Sequence, residues 1–476
     1  MKQAMRTGLA PLVLVLALSG CMVGPDYHRP AAIVPAAYKE APAAPKGWKQ
    51  ANPGDAIPKG RWWTIFHDPD LNRLEPLVAV SNQTIAADYA AYEEAREIVA
   101  ETRGQLFPTI GLTGSATRSG SGGSSLGSGP RTSGSFEGSA SWVPDIWGTI
   151  RRTVEGNIAA AQVSEADLAN ATLSAQAALG QDYAALRGAD QMITLLQQTV
   201  TAYGQSLQIT ENKFNAGVAA PSDVLTARAQ LEGAQAQLIN EGAIRAQYEH
   251  AIALLIGRPP AALSIPPGGL TTLVPEIPAG LPSGLLERRP DIAAAERTMA
   301  EENALIGVQI AAFYPSINLS ALGGYSADPI TGLFSVGNAL WSLGVNASET
   351  LFAGGARTAA VRAAWFTYQQ SVANYRETVL TAFQEVETDL SNLRILAQQA
   401  VVEQAAVNDA ARALQIALNE YAAGTQDYTT VVTAQSTLLG DQESALTVQQ
   451  NRLQDSMLLI QDLGGGWQAS DGFPGG

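Results

Sequence analysis

Few side chains in this sequence are placed to do chemistry. The three histidines, His28, His67 and His250, are far apart and lack the close spacing that holds a metal. His67 sits in an aromatic-rich N-terminal stretch and reads as structural. The glycine run within 120–129 precedes an extended segment instead of opening a helix after one, so it is not a phosphate cradle. No polar constellation suggests a nucleophile or an acid–base pair. The chain therefore reads as a non-enzyme with no cofactor and no metal. Charged residues make up only 15% of 476, and the formal net charge is −15. Phosphate binding needs clustered Lys and Arg, so nucleic acid is excluded as a partner.

One cysteine does have a chemical context. Lys2 and Arg6 precede an apolar run, Leu9 to Leu18, too short to span a bilayer, which ends in Leu18-Ser19-Gly20-Cys21. That ending resembles a bacterial lipoprotein box, which implies cleavage after residue 20 and acylation of Cys21. Several acyl chains, at about 0.8 kcal/mol per buried methylene, hold a protein on a membrane. Met22 after the cysteine, in place of Asp, implies sorting to the outer membrane. Cys21 is the only cysteine, so no intrachain disulfide forms.

The elements behind these residues follow a duplicated plan. Leu207-Gln208-Ile209, Asn212, Phe214 and Gly217 match Leu414-Gln415-Ile416, Asn419, Tyr421 and Gly424 at an offset of 207. The same offset pairs Phe107-Pro108 with Tyr314-Pro315, and Val224, Thr226 and Leu231 with Val431, Thr433 and Leu438. The first copy spans 71–257, with strands near 105–118 and 133–147, a long helix near 150–213 and a medium one near 222–257. The second spans 290–463, with strands near 315–327 and 337–352 and helices near 357–421 and 429–463. A lipid-anchored segment 21–70, a Pro-rich insertion 258–289 and a tail 464–476 complete the chain. Proline is absent from the long-helix windows, as a helix interior requires. Val379, Phe383, Val386, Leu390 and Leu393 alternate spacings of four and three, the seven-residue repeat of a left-handed coiled coil. At 1.5 Å per residue each long helix runs about 95–100 Å, far beyond a globular core.

The extended segments alternate. Ile317, Leu319, Ala321, Gly323 and Tyr325 form one face, with Ser316, Asn318, Ser320 and Ser326 on the other. Strands of about 10–13 residues can cross a bilayer at a tilt. An unpaired edge in lipid costs several kcal/mol per group, so membrane strands must close into a barrel. Four strands cannot close, two chains give a filled eight-stranded barrel, and three give twelve with a lumen. The expectation is an α+β membrane protein: a homotrimer sharing a twelve-stranded barrel, with a long antiparallel helical coiled-coil barrel beneath it in the periplasm.

The chain resembles the TolC-like outer-membrane factors, in their OprM- or NodT-like lipoprotein branch. The marks are Gly24-Pro25-Asp26-Tyr27, Trp63-Thr64-Ile65-Phe66-His67-Asp68-Pro69, Asp145-Ile146-Trp147-Gly148, Arg288-Arg289-Pro290-Asp291-Ile292, Phe313-Tyr314-Pro315-Ser316 and Leu351-Phe352-Ala353-Gly354-Gly355. The resemblance implies an exit duct for drugs or other small molecules, docked to a periplasmic adaptor and an inner-membrane RND-type pump. It further implies that the segments 21–70 and 258–289 form an equatorial collar. By the same resemblance, the helix turns close the duct and dock the adaptor. The gate candidates are Asp427, Tyr421, Tyr428 and Asp223, and the docking tip comprises Gly217, Val218, Ala219, Gly424, Thr425 and Gln426.

Threefold symmetry would turn Asp427 into a ring of three carboxylates. Asp223 and Asp427 could equally cap helices. Family members often carry Leu-Asp-Ala-Gln after this turn, where this chain has Val432-Thr433-Ala434-Gln435. Trp142 and Trp341 fit an aromatic girdle contacting outer-membrane lipid. Other readings are a duct for type I secretion or metal efflux, or a non-conducting structural lipoprotein.

Overall fold

The computed structural model describes residues 22–32, 34–40, 60–120, 130–275, 277 and 282–465. The signal segment 1–20, Cys21, the middle of the Gly/Ser loop and the tail 466–476 lie outside the described residues. The elements in order are α1 (Pro69–Ser81), α2 (Gln83–Gly104), β1 (Thr109–Ser119), β2 (Arg131–Trp142), α3 (Thr149–Asn215) and α4 (Pro221–Leu255). They continue with α5 (Pro290–Ala311), β3 (Ser316–Ala327), β4 (Ala339–Ser348), α6 (Ala356–Ala423) and α7 (Tyr428–Asp462). No described helix is long and apolar enough to cross a membrane.

The strand ends differ from the sequence expectation for local reasons. Residues 105–107 belong to the tightening last turn of α2, where Gln105, Leu106 and Phe107 donate to the carbonyls of Thr102, Arg103 and Gly104. After Trp142, Pro144 stops the pairing and the chain turns at Gly148, whose φ is +82°. Asp145 then caps α3, accepting from the amides of Ile150 and Arg151 at 3.0 Å each. β4 ends at Ser348, and the glycines at 354 and 355 hold positive φ just before α6.

The chain divides into two compact units. The first is built from Met1–Ala31, Ala91–Glu165 and Ala294–Tyr375 and carries the sheet. Its strands run β1-β2-β3-β4, each neighbouring pair antiparallel. The register places Ile110, Ala140, Ala321 and Leu343 in one row and Leu112, Gly138, Gly323 and Trp341 in the next. One face is therefore apolar. The other carries Thr113, Ser115, Ser139, Ser141, Asn318, Ser320 and Ser342, with Ser141 donating to Asn318 at 3.2 Å. β1 and β4 are the open edges of this sheet.

Beside the sheet, the motif residues hold the junctions. Trp147 stacks on Tyr314 at 4.7 Å and donates its indole N–H to the Pro315 carbonyl at 2.8 Å. Residues 23–26 are clamped by Arg152, only 1% exposed, which donates to the carbonyls of Val23 and Gly24 and to Asp26. A Cβ at Gly24 would meet Gly307 Cα at 2.4 Å, so only glycine admits this approach.

The second unit comprises Ala32–Ala90, Ala166–Ala293 and Arg376–Gly476. Its core gathers Trp62, Trp63 and Phe66 from a short 3-10 turn, Leu71, Leu74 and Val78 from α1, Leu179, Tyr183 and Leu186 from α3, and Leu453, Met457 and Ile460 from α7. Ile265 and Leu270 from the Pro-rich insertion pack into it. His67 closes the 3-10 turn with a φ of +53°, and Asp68 caps α1 through the amides of Asp70 and Leu71. Tyr183 donates to the same carboxylate at 2.8 Å.

Candidate functional site

The two turns between long and medium helices lie in the second unit and are built alike. Gly217 and Gly424 adopt φ of +74° and +76°. Val218 N–H donates to the Lys213 carbonyl and Gly217 N–H to that of Phe214, each at 2.9 Å. Thr425 and Gly424 make the corresponding bonds to Glu420 and Tyr421, at 3.0 and 3.1 Å. Each is the paired 6→1 and 5→2 arrangement that ends a helix on a left-handed glycine. Val218, Gly424, Thr425 and Gln426 are exposed and Ala219 is half-buried, so most of both turns faces outward.

The acidic candidates both serve helix starts. Asp427 is the N-cap of α7: its Oδ1 accepts from Thr430 N–H at 3.2 Å and Thr430 Oγ1 at 3.3 Å, while the carboxylate stays exposed. Asp223 stands in the first turn of α4 and accepts from the Ala220 amide at 3.4 Å. A carboxylate at this end also meets the positive end of the helix dipole.

The tyrosines are placed differently from free gate residues. Tyr421 and Tyr428 are both buried, with ring centroids 5.3 Å apart, in a core with Ala227, Ala417 and Val431. Burial, aided by the nearby Tyr421, pushes the Tyr428 phenol up to about 12. Tyr421 reaches Thr210 Oγ1 at 3.5 Å, and Gln435 donates to Ser206 at 2.8 Å in the buried interface of α7 with α3.

A residue that periodicity did not single out completes the site. Lys213, in the last turn of α3, places its ammonium 3.8 Å from the Tyr421 ring centroid and donates to the Tyr421 carbonyl. One cation thus ties the end of α3 to the end of α6. Its only sequence signal is a lone Lys four residues before a helix-ending glycine, a placement that also suits the helix dipole alone. On the other flank, Arg228 pairs with Glu211 at 3.2 Å on a more exposed surface.

The two girdle candidates sit at different levels of the sheet. Trp142 ends β2, half-buried, with its indole N–H on the Leu106 carbonyl at 3.0 Å. Trp341 lies on the apolar face near the start of β4 and is 79% exposed.

Comparison with known proteins agrees with this architecture. The chain is 29% identical over 470 residues to the antibiotic efflux pump outer membrane protein ArpC of Pseudomonas putida, covering 98% of this chain and 96% of that one. It is 28% identical over 475 residues to the cation efflux system protein CusC of Escherichia coli, covering 97% and 99%. Among solved structures, the outer-membrane channel OprN superposes with a TM-score of 0.84 at 28% identity, over 94% of this chain and all of that one. The family model described as outer membrane efflux protein matches residues 76–258 and 281–465. This chain belongs to the outer membrane efflux protein family.

Proposed function

We propose that this chain is one of three protomers of an outer-membrane duct, through which small molecules leave a periplasmic adaptor and an inner-membrane RND-type pump. The observation that carries the reading is the sheet. Its register gives one largely apolar face and one dominated by Ser, Thr, Asn and Gly, and it leaves β1 and β4 unpaired at the edges. A sheet with a lipid-compatible face cannot keep open edges in hydrocarbon. Pairing β4 of one copy with β1 of the next closes the ring, and three copies give twelve strands with a water-filled lumen. The residue matches at an offset of 207, and the twin helix-ending turns, support descent from a duplicated half.

The outer-membrane channels among its relatives place efflux at the outer membrane. Acylation of Cys21 would anchor each protomer beside the ring. At the helix turns, Lys213 and Tyr421 hold α6 against α3 in a closed arrangement, and Asp427 repeats threefold as the charge that lines it. The exposed turn residues 217–219 and 424–426 form the surface offered to the adaptor.

The test is native mass measurement of the detergent-purified outer-membrane protein, with conductance in planar bilayers. Three chains per particle and discrete conductance steps are expected. A lipid-embedded monomer, or a trimer that passes no ions under any condition that opens its relatives, would refute the duct and leave the non-conducting structural lipoprotein.

A further inference from the structure

The connection between β3 and β4 does not stand up from the sheet; it folds back over one face. Gly134 of β2 belongs to the apolar face, opposite Ala327. A Cβ added there would meet Ile330 Cδ1 at 2.6 Å, so Ile330 fills a notch that glycine leaves open. The Ile330 amide donates to the Thr132 carbonyl at 2.7 Å. Phe334 then meets Phe136 and Tyr325 edge-on, at centroid distances of 5.8 and 5.6 Å. Phe136 and Tyr325 are register partners on that same apolar face. The loop is thereby turned away from the Ser/Thr face.

Within the loop several polar groups bond to one another. Leu333 N–H donates to Ile330, Ser335 N–H to Gly332, and the Asn338 amide to both Gly332 and Ser335. Each such bond lowers the cost of bringing that polar group into an apolar medium. Its apolar side chains are nevertheless bare: Phe334 is 66% exposed and Val336 92%. They continue an exposed apolar series on β4, Trp341, Leu343 and Val345, each at least 75% exposed. In water these bare side chains would stay an exposed apolar patch, whereas an acyl medium covers the loop and the strand together.

We propose that residues 328–338 form an outward-folded foot that seats Phe334 and Val336 among the acyl chains of the outer leaflet, flush with the lipid-facing side of the sheet. The inference rests on the membrane-spanning reading of that sheet. Its consequence is that this loop anchors the rim and does not cover the mouth of the pore.

Nitroxide labels on single introduced cysteines test it in the full-length protein, reconstituted in phosphatidylcholine–phosphatidylglycerol vesicles. The parent chain, whose one cysteine is Cys21, serves as the labelling blank. Val336→Cys probes the foot, Leu343→Cys the lipid-facing strand, and Ser320→Cys the polar face. Collision with oxygen, which concentrates in lipid, is compared with collision with a water-soluble nickel chelate. Expected is a several-fold preference for oxygen at 336 and 343 and the reverse at 320. Gly134→Val should evict Ile330 and move the 336 label toward nickel while 343 stays in lipid.

A 336 label that prefers nickel while 343 prefers oxygen overturns the foot and leaves the barrel standing. A 336 label reached by neither reagent means that a second copy covers the loop, which also overturns it. Nickel preference at 343 refutes the membrane-spanning reading itself, and the foot with it.

Discussion

Two side chains at the helix turns carry separable burdens. Asp427 is at once a helix cap and an exposed negative charge. Replacing an N-cap Asp by Ala costs about 1 kcal/mol, whereas Asn caps as well as Asp does. If the charge holds the closed state, Asp427→Asn and Asp427→Ala should both raise single-channel conductance and vancomycin sensitivity. If only the cap matters, Asn should behave as wild type. For Lys213, a cation over an aromatic ring contributes about 0.5–2 kcal/mol. Losing about 1–2 kcal/mol shifts a two-state ratio by roughly 5- to 30-fold. Lys213→Met should therefore raise the open fraction in bilayers several-fold, and Lys213→Arg should largely retain closure. Equal open fractions for Lys213→Met and wild type would remove Lys213 from the gate.

At the scale of elements, the contact between the end of a medium helix and the start of a short one is built differently at positions 207 apart. In the first half Asn82 accepts from the amides of Thr84 and Ile85 and donates to the Leu255 carbonyl at 2.9 Å. The corresponding bond in the second half, 207 positions on, runs from Arg289 to the Asp462 carbonyl at 3.2 Å. Arg289 is surrounded by carboxylates there, pairing with Asp291 and Glu385 at 2.7 Å each. Asp389 of α6, 3% exposed, faces Asp462 in this cluster, with Asp455 and Glu385 nearby.

Burial, and then the neighbouring carboxyl of Asp462, push Asp389 well above the ordinary carboxylate range. The folded state therefore keeps a proton that the unfolded chain has already released above the ordinary carboxylate range. Its contribution to stability is full at acid pH and fades as pH rises through the raised folded-state range. Thermal unfolding in detergent should thus fall by several degrees between pH 5 and 8, and Asp389→Asn should flatten that slope. A wild-type profile that rises over this window would contradict a proton retained on Asp389. Arg289→Ala should destabilise the fold at neutral pH, by up to roughly 3 kcal/mol, because it leaves the buried Asp462 and the half-buried Asp291 and Glu385 without their cation.

For the whole molecule, the decisive feature is which face of the sheet meets water. Ser320 and Leu343 sit on neighbouring strands but on opposite faces. In a trimer conducting through the shared ring, a bulky methanethiosulfonate reagent on Ser320→Cys should cut conductance by tens of per cent. The same reagent on Leu343→Cys should leave it within error. Equal block at both positions, or at neither, would place the conduction path elsewhere.

Much of this protein was readable in its residues because period and punctuation are local properties. The seven-residue spacing in 379–393, the alternation in 316–326 and the glycines at 217 and 424 each report backbone geometry within a few positions. The strand ends were less legible, because Pro144 and the cap at Asp145 compete with a continuing alternation. The motif Asp145-Ile146-Trp147-Gly148 was recognisable as a string, but its work depends on Tyr314 and Pro315, distant in sequence. Only the tertiary structure paired Lys213 with Tyr421, buried two tyrosines expected at a gate, and turned Phe334 onto the apolar face. Those outcomes rest on contacts such as Lys213 with Tyr421, Ala227 with both tyrosines and Phe136 with Phe334, about two hundred positions apart, where no sequence period carries the information.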